Sequence, residues 1–156
     1  MAAEHLKRKY NYLKTKYSLP AFGKLDMEFE LSSIDKDDFL LRDIRKKMIE
    51  KIDFFCEIIE GSLQPDTASL ASMHECKFFE DEEKERLYAL YKRLMLLNRS
   101  AILLGINSKD DEEAEFINSV FNEWPKFQEE ILAYAKKMKD CWEKESHVKE
   151  EVGYLG

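Results

Sequence analysis

From Leu41 to Leu63 the apolar residues Leu41, Ile44, Met48, Ile52, Phe55, Ile59 and Leu63 recur three or four positions apart, the spacing of one helix face turned to a core. A second set, Leu40, Ile49, Phe54, Cys56 and Ile58, widens that face until little between Ile49 and Ile59 is polar. A helix apolar on most sides is surrounded by other helices, so the chain around this stretch has to be helical too. With five Gly and three Pro in 156 residues, the breakers needed for a sandwich or barrel are missing. The fold class that follows is all-α: a single-domain bundle of about five to six helices, with residues 1–146 as the domain and 147–156 as a flexible tail.

The long central helices are expected near residues 34–62, 81–104 and 126–146. Ser32 or Ser33 offers an N-cap to the first of these, and Asp35, Asp37 and Asp38 would stand in its first turn, where the helix dipole favours negative charge. The second opens on the acidic run Glu80 to Glu83, carries Leu87, Leu90, Tyr91, Leu94, Leu97, Ala101 and Leu104 inward, and stops at Gly105. The third begins at Pro125, which is tolerated at a first helical position, and turns Phe127, Ile131, Tyr134, Met138 and Trp142 inward.

Three shorter helices complete the cover. One runs from about Ala3 to Tyr17 on Leu6, Tyr10, Leu13 and Tyr17. A short one, capped by Pro65-Asp66-Thr67, covers Ala68 to Cys76 with Leu70, Met73 and Cys76 inward. The last, capped by Asn107-Ser108, buries Ala114, Ile117, Val120, Phe121 and Trp124 and ends before Pro125. Between the first helix and residue 32, Leu25, Met27, Phe29 and Leu31 alternate as in a strand. Without a partner strand, an extended loop or a single helical turn is expected there.

Chemistry is hard to place on this pattern. A di-iron bundle needs Glu-x-x-His on two helices, and none of His5, His74 and His147 has Glu three residues before it. His74 and Cys76 stand two apart, on different helix faces, and read as a surface histidine and a buried cysteine rather than metal ligands. GxSxG, GxxxxGK[ST] and GxGxxG do not occur, so no catalytic residue, cofactor or metal is expected. Were there an enzymatic site, His74, Glu75 and Arg99 would be the first side chains to inspect. Cys56, Cys76 and Cys141 share no CxxC spacing, which suits a reducing cytoplasm. No apolar run reaches 18 residues, so no membrane partner is expected.

What remains is charge. The net charge is −7, yet residues 1–25 hold Lys7, Arg8, Lys9, Lys14, Lys16 and Lys24 against Glu4 alone. Here cations interleave with Tyr10, Tyr12 and Tyr17, and Tyr12 is the ring left over once the apolar stripe is assigned. A second basic cluster, Arg42, Arg45, Lys46, Lys47 and Lys51, occupies the first half of the helix near 34–62. If joined, Lys7, Arg8, Lys9, Tyr12, Arg42, Arg45 and Lys46 would form one binding patch. The expected function is that of a small cytoplasmic, non-enzymatic adaptor or scaffold, binding a protein partner or a second copy of itself. The alternative is association with RNA or DNA through the basic N-terminal helix. Leu19-Pro20-Ala21-Phe22 and Tyr154-Leu155 are further candidate contacts.

Overall fold

The computed structural model describes residues 2–64 and 69–143. Among them are six α-helices, one 3-10 turn and no strand: α1 (Ala2–Tyr17), α2 (Phe22–Phe29), the 3-10 turn Leu31–Ser33, α3 (Leu40–Leu63), α4 (Leu70–Cys76), α5 (Asp81–Ile106) and α6 (Asp110–Cys141). The all-α helical bundle read from the periodicity is what the chain forms. The proposed cap at 65–67 and the tail at 147–156 lie outside the described residues. The chain divides into two compact units, residues 1–53 with 95–125, and residues 54–94 with 126–156.

In the first unit, Leu6 and Tyr10 of α1 and Phe22, Leu25 and Phe29 of α2 are buried with Leu40, Leu41, Ile44, Met48 and Ile52 of α3. Tyr10 meets Phe22 edge-on at 5.4 Å, and its hydroxyl donates to the Pro20 carbonyl at 2.5 Å. That bond ties the end of α1 to the loop leading into α2. Burial pushes the Tyr10 phenol well above its ordinary pKa. Phe29 packs on Trp124 at 4.8 Å, whose indole N–H donates to Glu28 at 3.0 Å.

The second unit is built on Phe55, Cys56 and Ile59 of α3, Leu87, Leu90 and Leu94 of α5, and Phe127, Ile131 and Tyr134 of α6, all buried. Phe79 lies against Tyr134 at 4.8 Å, and the hydroxyls of Ser62 and Tyr134 are bonded to each other.

The structure departs from the sequence pattern at several places. Residues 22–29 are a two-turn helix, rather than an extended loop or a single helical turn: Phe22, Leu25 and Phe29 are buried at helical spacing, and Met27, one of the four alternating residues, is exposed. The helix expected from residue 34 begins at Leu40. Ser32 bonds Asp26 through both its N–H (2.7 Å) and its hydroxyl (2.6 Å), and Ser33 bonds the Glu30 carbonyl. Both serines thus close the 3-10 turn instead of capping α3.

Pro125 does not start a helix but sits inside α6. It removes the N–H that Phe121 O would accept, a loss of about 3 kcal/mol in a helix interior. Buried Ala114, Ile117, Val120 and Trp124 before it and Phe127, Ile131, Tyr134 and Cys141 after it are enough to keep the helix whole. In α4, Leu70 and Met73 are exposed and His74 is buried, because the histidine ring packs on Trp142 at 4.1 Å and Phe78 at 5.0 Å. Its Nε2 lies 3.4 Å from the Cys141 carbonyl.

Candidate functional site

The basic residues singled out from the sequence lie in the first unit, and most are engaged there. Lys9 donates to the backbone carbonyl of Asp37, and its ammonium is 3.9 Å from that carboxylate. The exposed Lys7 sits 5.7 Å over the Phe22 ring. Arg42 stacks on Phe39 at 4.5 Å and donates to the Ser108 hydroxyl at 3.1 Å. Lys46 is 3.7 Å from Asp43 and lines a shallow hollow with Asp35, Lys36, Asp43, Lys47 and Glu50, so cations and carboxylates balance there.

Arg45 leaves the surface altogether. Its side chain is buried, and its Nε donates to a wholly buried Glu113 at 2.8 Å. The other Glu113 oxygen accepts from Ser108 at 2.9 Å. A guanidinium in this position requires such a partner, because a buried charge left unpaired is costly. Of the set, Arg8 and Tyr12 remain open, one helical turn apart on the outer side of α1.

The second unit contains a cleft of about 330 Å³ lined by Phe79, Leu87, Leu90 and Tyr134, with charged side chains around it. Lys137 donates to both Glu83 oxygens at 2.5 and 2.6 Å, which holds the Glu83 carboxyl below its usual pKa. Arg93 is bonded to Glu130 at 3.1 Å. Among the described residues, no group of three or more His, Cys, Asp and Glu side chains is placed to hold a metal ion, and no helix is long and apolar enough to cross a membrane.

A different surface stands out on the last three turns of α5. Ala101 and Leu104 are buried, Arg45 Nη1 reaches the Ala101 carbonyl at 3.4 Å, and Asn98 donates to Asp53 of α3 at 2.7 Å. One side of this stretch is therefore committed to the core. At about 100° per residue, Leu96, Ile102, Leu103 and Ile106 fall on an arc of roughly 120° on the opposite side. They are 63%, 48%, 68% and 79% exposed and together make an apolar stripe along one side of the helix, with a single charged residue inside it.

Arg99 lies on the same arc, between Leu96 and Leu103. Its Nη1 donates to Asn98 Oδ1 at 2.7 Å, and because Asn98 is itself bonded to Asp53, the arginine is held in the middle of the stripe. Sequence reading missed this surface. The signal was the run from Met95 to Ile106, in which apolar residues occupy more of the helix circumference than one inward face can bury. No protein-family model, curated protein or solved structure matches this chain.

Proposed function

We propose that this is a non-enzymatic interaction protein of the cytoplasm whose outer α5 face docks a helix of another protein chain. The observation that carries the reading is the stripe of four exposed aliphatic side chains, Leu96, Ile102, Leu103 and Ile106. Burying a fully exposed side chain of this kind gains about 1.5–3 kcal/mol, and at 48% to 79% exposure these four retain about half of that or more, so a second helix laid along the stripe has a driving force that the isolated chain leaves unused. No disulfide joins Cys56, Cys76 and Cys141, which suits a reducing compartment. The test is the size of the protein in a native extract of its source cell. The chain is expected to migrate above its 18.5 kDa, and an L103D/I106D variant to return to the size of a single chain. An unsubstituted chain that migrates as a monomer would remove the reading.

A second reading rests on Tyr12, which is 67% exposed with Arg8 four residues before it and Lys16 four after. This ridge offers a ring for base stacking between two phosphate contacts. It predicts binding of single-stranded nucleic acid that weakens steeply with salt and is lost in an R8E/Y12A variant. No binding at low salt would end it.

A further inference from the structure

We infer that the occupant of the α5 face is a second copy of this chain, the two α5 helices packing antiparallel about a two-fold axis at the level of Ala101. This rests on the docking reading above and names its partner. The stripe is centred on that position, since Leu96 and Ile106 lie five residues to either side. In the pair, each Leu96 meets Ile106 of the partner subunit, and each Leu103 packs on the aliphatic stem of Arg99 of the partner subunit.

Area supports the pairing. At their exposures the four aliphatic residues present roughly 450 Å² of surface, the size of patch that is often functional. A standard interface buries about 800 Å² per partner with somewhat over half of it apolar. The stripe thus supplies the apolar core of such an interface, and the polar residues beside it supply the rim.

Charge supports the antiparallel direction. Helical side chains lean toward the N-terminus of their own helix, so in an antiparallel pair Arg99 leans toward the C-terminal end of α5 of the partner subunit. That end carries the negative pole of the helix dipole and no basic side chain in its last turn; Asp110 and Asp111 follow within five residues of Ile106, and the intervening Lys109 lies 3.9 Å from Glu112. The two guanidinium groups diverge from the axis, each toward negative potential. A parallel pair would instead set the two Arg99 side by side.

Sedimentation of the purified full chain across a concentration series tests the inference. The expected species has twice the 18.5 kDa mass of one chain, and its association tightens with added salt, because each copy carries −7. L103D should weaken pairing roughly thirtyfold or more. M27D, at an exposed residue of α2, should leave pairing unchanged. Helical circular dichroism of both variants reports folding separately. For direction, L96C and I106C chains mixed together should form a mixed disulfide, while neither crosslinks with itself, since identical positions would lie ~15 Å apart along the helices.

A chain that stays monomeric up to about 1 mM, a concentration at which even a weak contact of ~4 kcal/mol is half-formed, overturns the inference. So does a dimer indifferent to L103D, and self-crosslinking of L96C overturns the antiparallel arrangement. A monomeric purified chain that still migrates as a larger species in native extract removes the second copy but keeps the docking reading. A monomer in both removes both.

Discussion

Arg45 and Arg99 belong to the same unit and have opposite fates. Arg45 points from α3 into the interior, where Glu113, itself bonded by Ser108, takes its charge. Arg99 stands on the outside of α5 among aliphatic side chains, bonded to Asn98. A basic residue in an amphipathic helix is therefore a poor guide to a binding surface until its partner is known: the buried arginine is consumed by the fold, whereas the exposed one is available to whatever covers its neighbours.

The sharpest way to test that contrast is to remove the partner of the buried charge. Glu113→Ala leaves Arg45 desolvated and unpaired and is expected to cost about 3–5 kcal/mol of folding stability, read from the urea midpoint. Replacing both residues by apolar ones, Arg45→Met with Glu113→Leu, should recover most of that loss. A cost under about 1 kcal/mol for Glu113→Ala would mean that Arg45 behaves as a surface residue.

The matching change at Arg99 should do the reverse. Arg99→Glu is expected to alter folding stability by no more than about 0.5 kcal/mol, as for an exposed site away from the core. It should nevertheless weaken self-association roughly tenfold, by placing a carboxylate beside the acidic end of the opposing helix. Equal effects on folding and association would erase the distinction between the two arginines.

Between these extremes lies Lys9, which is half-buried and bonded to the Asp37 backbone. Lys9→Ala should cost up to about 1.5 kcal/mol, the range of a single hydrogen bond, and leave self-association untouched. A loss of association in this variant would implicate α1 in the contact.

The same contrast explains what could be read from the chain beforehand. Periodicity located α1 and the body of α3, because Leu6 with Tyr10 and Ile44 with Met48, Ile52 and Ile59 are local patterns whose burial the helix geometry decides. It placed the start of α3 too early, because Ser32 and Ser33 had nearer partners in Asp26 and Glu30. It ended a helix at Pro125, because the cost of a proline is local while the apolar stripe that overrides it is long. Near-complete burial from Ile49 to Ile59 also failed at Phe54, which is exposed. The candidate site was least legible. Whether Arg45 is free depends on Glu113, 68 residues away, and whether Leu103 is core depends on which side of α5 the Asn98–Asp53 bond turns inward.

The smallest effect concerns an ion pair at the half-exposed level between Arg45 and Arg99, Lys137 with Glu83 in the second unit. The Lys137 bond is the main reason the Glu83 carboxyl sits below its ordinary pKa. A carboxylate with a depressed folded-state pKa contributes stability that is complete above its unfolded value, about 4.3 for glutamate, and lost as pH falls through the folded value. Solvent reaches both side chains, so the contribution should stay under about 1 kcal/mol. Lys137→Met should therefore lower the urea midpoint slightly at pH 7, and the gap from the unsubstituted protein should narrow as pH drops below the carboxylate range. It need not close, because Lys137 also lies 5.1 Å over the Phe79 ring, and that contact does not depend on Glu83. A gap that is the same at pH 7 and about pH 2 would assign the whole effect to the ring contact, leaving Arg45–Glu113 as the pair whose charge partner the fold depends on.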